Sequence, residues 1–169
     1  MISLDRLNEV DRPEFVALLG EIYEHSPWVA EAAFQRRPFA TRDALRDVMN
    51  DVVSQADPER QLALLRAHPE LAGRAAIRGE LTTHSADEQG ASGLLNCSPE
   101  ELKRIQELNQ AYGEKFKFPF VIAVKGMDRS AIIASLEKRL GNPREEEKLE
   151  ALRQVSRIAG FRLEASIGS

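Results

Sequence analysis

The chain has 169 residues, of which 43% are hydrophobic and 30% charged, with 23 Lys+Arg against 27 Asp+Glu and a formal net charge of -4. This hydrophobic fraction excludes a disordered chain, and no apolar run approaches the length of a membrane span. The negative charge and the lack of a Lys/Arg block exclude a dedicated nucleic-acid binder, and the single cysteine, Cys97, excludes an internal disulfide.

Prolines and periodic apolar residues predict helices along the chain. Proline is favoured at the first helical position, directly after a capping Ser, Asp or Asn, and such pairs are Ser26-Pro27, Asp57-Pro58, Ser98-Pro99 and Asn142-Pro143. Helical three-and-four spacing of apolar residues follows further caps at Thr41 and Asp128. Hairpin signals and persistent strand patterns are absent from the sequence.

One short segment departs from the helical pattern. Residues 118–124 read Phe-Pro-Phe-Val-Ile-Ala-Val, an apolar and β-branched run that favours an extended backbone. If this run is buried, its N–H and C=O groups need partners, which can be side chains, water or a ligand. We therefore predict an all-α, single-domain, bundle-like fold of six to eight helices over residues 1–169, with one extended segment near residues 118–125.

His68 is a candidate for proton transfer. It follows an apolar helical stretch and precedes Pro69, which should end the helix at or near His68. The negative end of a helix dipole favours the protonated form of a histidine, which suits a proton donor working near neutral pH. Simple capping of the helix end is the alternative interpretation.

A compact polar cluster follows at residues 85–89, which read Ser-Ala-Asp-Glu-Gln. Ser85-x-x-Glu88 is a capping-box pattern, so helix capping alone could explain both residues. The functional interpretation is that the hydroxyl, carboxylates and amide bind a polar small molecule with urea-like N–H and C=O groups.

Most other catalytic templates are missing from the sequence. It contains no His-Glu-x-x-His motif, no Gly-x-Ser-x-Gly elbow, no Walker loop and no dinucleotide fingerprint, and Cys97 is best explained as a small apolar spacer. A cofactor-free enzyme fits this elimination best. The alternatives are a metal-dependent amidohydrolase using His68, His84 and Glu88, and a non-catalytic helical interaction module.

Three segments stand in order along the chain: RAHPELAG at 66–73, SADEQGA at 85–91 and KFPFVIAVKG at 117–126. Together they resemble the 2-oxo-4-hydroxy-4-carboxy-5-ureidoimidazoline (OHCU) decarboxylase family of urate degradation, and the resemblance extends over nearly the whole chain. It implies an all-helical carboxy-lyase, usually a homodimer, that converts OHCU to (S)-allantoin without a metal or organic cofactor. A small-molecule substrate is expected, with no nucleic-acid or membrane partner.

The resemblance also assigns roles to individual residues. It implies His68 as the catalytic acid/base, assisted by Glu88 and by Arg157, although Arg153 and Arg162 lie close to Arg157 in sequence. The residues that it places around the substrate are Pro69, Ser85, Ala86, Asp87, Glu88, Gln89, Phe120, Val121, Ile122, Ala123 and Val124, the last five through backbone groups.

A cytoplasmic location is expected from the two ends of the sequence. The first six residues lack the apolar core of a signal peptide, and the last three are not a peroxisomal address.

Overall fold

A computed structural model describes residues 1–168, apart from the side chains of residues 74 and 75. Within that range the structure contains ten α-helices and one 3-10 helix. The α-helices are α1 (Leu4–Glu9), α2 (Arg12–Leu19), α3 (Trp28–Phe34), α4 (Arg42–Ser54), α5 (Pro58–Arg66), α6 (Arg74–Ile77), α7 (Thr83–Ala91), α8 (Pro99–Phe116), α9 (Arg129–Leu140) and α10 (Arg144–Ser166), and the 3-10 helix is Leu94–Asn96.

The predicted all-α fold is confirmed. The helices outnumber the expected six to eight because short ones such as α1 and α6, with six and four residues, are too brief to show an apolar period. An isolated parallel bridge joins Ile2 to Ile167. No helix in the described part of the chain combines the length and the apolar character needed to cross a membrane.

Side-chain caps begin most helices where the sequence predicted them. Thr41, Asp57, Ser98 and Asp128 each accept a hydrogen bond from a backbone N–H in the first turn of α4, α5, α8 and α9. Ser98 also forms the predicted capping box with Glu101. Each cap satisfies an N–H that has no partner inside its helix, which fixes the point where that helix starts.

Two helices begin one residue later than expected, so Pro27 and Pro143 precede the first helical position instead of occupying it. The side chains that were expected to cap them bind elsewhere. Ser26 donates its hydroxyl to a backbone carbonyl, and Asn142 donates its amide to the Glu147 carboxylate.

The described chain divides into two compact units. The first consists of Met1–Ala67 together with Ser156–Ser169. Its core includes Phe15, which packs edge-on against Phe34 with 5.5 Å between ring centroids. The expectation of a single domain over residues 1–169 stays a prediction.

The second unit, His68–Val155, contains every predicted site residue except Arg157. The Tyr112 ring of α8 contacts Phe116 and Phe120, with centroids 4.5 and 5.4 Å away. These aromatic contacts pack residues 118–124 onto α8, so the segment lies in the core of this unit.

Candidate active site

His68 lies two residues beyond the end of α5 and is buried, with 8% of its surface exposed. Helix α5 ends at Arg66, so His68 has left the helix, as the restriction imposed by Pro69 predicts. The proton-transfer role of His68 stays a prediction.

Two buried amide side chains hold the loop that follows His68. Asn109 of α8 donates its Nδ2 to the C=O of Leu71 at 3.0 Å, and Gln89 of α7 accepts from the N–H of Ala72 at 2.9 Å. Ala72 has a φ of +51°, a conformation that L-residues rarely adopt and that surrounding contacts must maintain. The two hydrogen bonds therefore fix the loop that carries His68.

Thr82 is the N-cap of α7, and its hydroxyl accepts from the N–H of Ser85 at 3.3 Å. Ser85 thus lies inside the first turn of the helix. The interpretation of Ser85 and Glu88 as a capping box is therefore wrong, and the functional interpretation of the cluster stays a prediction.

Helix α7 turns part of the polar cluster inward. Ser85 and Gln89 are 4% and 2% exposed, and residues four apart share one helix face. Glu88 and Ala86 are half-buried, whereas Asp87 is exposed. The inward face therefore combines a hydroxyl and an amide with the Glu88 carboxylate at its edge, and a substrate contact by Asp87 stays a prediction.

Residues 120–124 are all buried and lie outside every helix and strand. None of them has a positive φ, so the predicted extended backbone fits this segment. Side chains from two helices bind it. Arg139 of α9 donates its Nη1 to the C=O of Val121 at 2.7 Å, and the N–H of Ala123 donates to Oε1 of Gln154 on α10 at 3.0 Å.

The side chains satisfy only part of this backbone. In the part of the chain that the structure describes, which leaves out the side chains of 74 and 75, neither the N–H nor the C=O of Ile122 has a hydrogen-bond partner. Buried backbone groups are nearly always paired. The segment therefore does not satisfy all of its own groups, and its binding of a polar molecule through the backbone stays a prediction.

The three arginines of α10 have different surroundings. Arg153 is exposed and pairs with Glu150, and Arg157 is also exposed. Arg162 is buried and donates to Oε2 of Glu24 at 2.8 Å. Because Arg157 and Arg162 belong to the first unit, a catalytic role for Arg157 stays a prediction.

The structure also bears on two other interpretations of the sequence, Cys97 as an apolar spacer and a metal site at His68, His84 and Glu88. Cys97 donates its Sγ to the C=O of Leu94 at 3.2 Å, and burial raises the pKa of its thiol, which suits a spacer and not a nucleophile. The metal-site alternative needs His68, His84 and Glu88 to converge. Among the described residues, no three His, Cys, Asp or Glu side chains form a group that could hold a metal.

Sequence reasoning missed three polar residues that support these segments: Asn109, Arg139 and Gln154. Each occupies a position on the apolar stripe of its helix. Asn109, for example, lies four residues after the buried Ile105 and three before the buried Tyr112. A polar residue at such a core position must find a buried partner, and this is the signal that could have identified all three.

Comparison with known proteins places the chain in a family. The family model for OHCU decarboxylase matches residues 8–164, which is nearly the full length. The chain belongs to the OHCU decarboxylase family. A family member from Haloferax volcanii, named 2-oxo-4-hydroxy-4-carboxy-5-ureidoimidazoline decarboxylase, is 44% identical over 162 residues, covering 96% of this chain and 94% of the relative.

Two further comparisons, one with a sequence and one with a crystal structure, agree with this assignment. A protein of the same name from Halalkalicoccus jeotgali is 39% identical over 163 residues, covering 96% of this chain and 90% of the relative. The crystal structure of an (S)-allantoin synthase superposes with a TM-score of 0.79 at 30% identity, covering 98% of this chain and 54% of that one. The present chain thus spans about half of that longer protein, and the resemblance seen in the three sequence segments is confirmed.

Proposed function

We propose that this protein is a carboxy-lyase that decarboxylates OHCU to (S)-allantoin in urate degradation. The observation that carries the proposal is the 44% identity, over almost the full length of both chains, to a relative named OHCU decarboxylase. A buried His68 on a fixed loop, with a buried polar face on the same unit, is consistent with this activity.

The chemistry follows from the substrate. Its carboxylate leaves from C4, which also carries the hydroxyl and is bonded to C5 of the ring C=N bond. As CO2 departs, the C–C bond electrons form a C4=C5 bond and the C=N pair moves onto nitrogen, which takes a proton. The C4 hydroxyl of this enol then loses its proton, and the resulting enolate takes one proton on C5, which leaves the C4 carbonyl of allantoin. Because the substrate accepts the electron pair itself, the reaction needs no metal or organic cofactor. The protein must orient the carboxylate, stabilise the enolate oxygen and deliver the proton to one face.

We assign these tasks to the residues of the second unit. His68 supplies the proton and so sets the handedness of the product. Glu88 and the inward side chains Ser85 and Gln89 bind polar ring or ureido atoms. The backbone of Phe120–Val124 supplies further hydrogen bonds, with Pro69 and the other residues of the polar cluster, Ala86 and Asp87, completing the contacts.

We also propose that the enzyme acts as a cytoplasmic homodimer. The dimer follows from the family resemblance.

We further propose that Arg157 binds the carbonyl or carboxylate of the substrate. Two other arginines of α10, Arg153 and Arg162, test this role by comparison. Changing Arg157 to Lys should lower kcat/KM by about tenfold or more, because a lysine cannot make the paired hydrogen bonds of a guanidinium to a carboxylate. Matched Lys variants of Arg153 and Arg162 give the comparison, with kinetics and thermal unfolding measured for each. A loss of kcat/KM confined to Arg162→Lys, without a loss of stability, would transfer the role to Arg162.

The experiment that tests the proposed activity follows the handedness of the product. OHCU is generated freshly from urate, the protein is added after exhaustive chelation of metals, and circular dichroism is recorded over time. We expect rapid formation of optically active allantoin, faster than the spontaneous decay of the substrate. A slow and racemic result, identical to the sample without protein, would overturn the proposal and favour a helical interaction module.

A further inference from the structure

Two side chains bind the extended segment at residues two positions apart. Arg139 donates to the C=O of Val121, and Gln154 accepts from the N–H of Ala123. In an extended backbone, residues i and i+2 present their N–H and C=O groups to the same edge, as along one edge of a β-strand. Both side chains therefore bind the same edge of the segment.

The opposite edge belongs to the residues in between. By the same alternation, Ile122 presents its N–H and C=O away from Arg139 and Gln154. Among the described residues, which leave out the side chains of 74 and 75, neither group has a protein partner, and the same holds for the N–H of Val121 and the C=O of Ala123. The two side chains occupy one C=O and one N–H of their own edge, whereas both backbone groups of Ile122 remain for a ligand.

Gln154 is itself oriented by a carboxylate. Its Nε2 donates to Oε1 of Glu150, one helical turn earlier, at 2.8 Å. A carboxylate only accepts hydrogen bonds, so it selects the amide rotamer with nitrogen towards Glu150 and oxygen towards Ala123. Burial raises the pKa of Glu150, but the hydrogen bond from Gln154 and the charge of Arg153 outweigh it and hold that pKa below its usual value.

Arg139 is also oriented by a carboxylate, that of Glu147. Its Nε donates to Oε1 of Glu147 at 2.7 Å, and its Nη2 lies 2.5 Å from the same oxygen, outside hydrogen-bond geometry. Its guanidinium carbon lies 4.5 Å from the centroid of the Phe120 ring. The arginine therefore contacts both the backbone and a side chain of the segment.

We propose that Gln154, oriented by Glu150, and Arg139, held by Glu147, are positioning residues that aim the free backbone edge at Ile122 towards the substrate. The inference rests on the proposed function, because it takes the substrate to bind Phe120–Val124. Neither side chain is required to touch the substrate. Their effect is on the geometry of the groups that do, where a displacement of about 1 Å can lower a rate roughly hundredfold.

The test removes one hydrogen bond without leaving a buried charge. Gln154→Leu deletes the acceptor for the N–H of Ala123, and we expect kcat/KM to fall by roughly tenfold to hundredfold, with reduced optical purity of the allantoin. Hydrogen exchange of the Ala123 amide, followed by NMR, should become faster in the variant. This second readout does not depend on any enzymatic activity.

Two matched variants complete the design. Gln110→Leu removes the same kind of glutamine–glutamate pair, since Gln110 donates to Glu114 at 3.2 Å on the exposed face of α8, and it should leave activity unchanged. The double exchange of Glu150→Gln with Gln154→Glu keeps a hydrogen-bond acceptor for Ala123 at position 154. Between the two side chains, position 150 then donates the hydrogen bond and position 154 accepts it. The double exchange should restore most of the kcat/KM lost in Gln154→Leu and the slow exchange of the Ala123 amide.

The outcomes separate this inference from the proposed function. If the wild-type protein makes no allantoin, the proposed function fails. Faster hydrogen exchange of the Ala123 amide in Gln154→Leu would then still show that Gln154 binds this amide in solution. If the wild-type protein is active and Gln154→Leu keeps its kcat/KM and optical purity, Gln154 has no positioning role. A loss of thermal stability with unchanged KM and unchanged optical purity would likewise reduce Gln154 to a structural residue.

Discussion

Replacing His68 with asparagine is expected to lower the rate of optically active allantoin formation by about 10²–10⁴-fold, the usual contribution of a general acid or base. Asparagine preserves polarity and hydrogen bonding, but its amide does not exchange a proton near neutral pH. Circular dichroism of the product gives the rate. Because the substrate also decays spontaneously, the variant should still release CO2 but yield racemic allantoin.

The fold should survive this substitution, since Asn109 and Gln89 hold the loop through Leu71 and Ala72. His25→Asn is the matched control. His25 is exposed with a φ of +48°, a region in which asparagine is well tolerated, so both activity and stability should be unchanged. A His68→Asn variant that kept near-wild-type rate and optical purity would remove the acid/base assignment.

Helix starts were predictable because their chemistry is local. Asp57 and Ser98 satisfy N–H groups only three residues further along the chain, so the sequence contains both partners of each bond side by side. Local patterns give a wrong prediction where two nearby residues could both cap the same helix. Thr82 and Ser85 both fit the N-cap position, and the structure uses Thr82, which moves Ser85 from a capping role to the buried face of α7.

The supports of the candidate site could not be predicted in this way. The hydrogen bond between Gln89 and Ala72 joins residues 17 positions apart in the sequence, and the one between Arg139 and Val121 joins residues 18 positions apart. Periodicity can show that a polar residue occupies a core position, but it cannot identify a partner elsewhere in the fold. The recognition motifs were therefore visible in the sequence, whereas the residues that hold their backbones became visible only in the structure.

The second large effect is expected on the stability of the protein when Glu147, which is entirely buried, is replaced. Its Oε1 accepts from the Tyr112 hydroxyl at 2.6 Å and from Arg139 Nε at 2.7 Å, and its Oε2 accepts from Asn142 at 3.0 Å. Burial and the neighbouring carboxylate raise the pKa of Tyr112, which keeps its hydroxyl a donor. Glu147→Ala leaves the Arg139 charge in the core without its partner.

We expect Glu147→Ala to lower the free energy of unfolding by about 3–5 kcal/mol, the usual effect of removing one member of a buried ion pair. This is a large share of the roughly 5–15 kcal/mol that stabilises a typical domain. Urea unfolding measures the difference. Glu146→Ala is the control, because Glu146 lies in the same first turn of α10 but is exposed, and it should change stability by less than about 1 kcal/mol.

Removing both charges separates stability from function. A double variant, Arg139→Met with Glu147→Leu, should recover much of the stability lost in Glu147→Ala, because well-packed apolar pairs often replace buried ion pairs without loss. It should nevertheless remain impaired in kcat/KM, since a methionine in place of Arg139 would not bind the C=O of Val121. A double variant with both wild-type stability and wild-type kcat/KM would show that the arginine serves neither purpose. Recovery of stability alone would show that this ion pair is retained for the geometry that it imposes on the segment, since an apolar pair supplies the stability equally well.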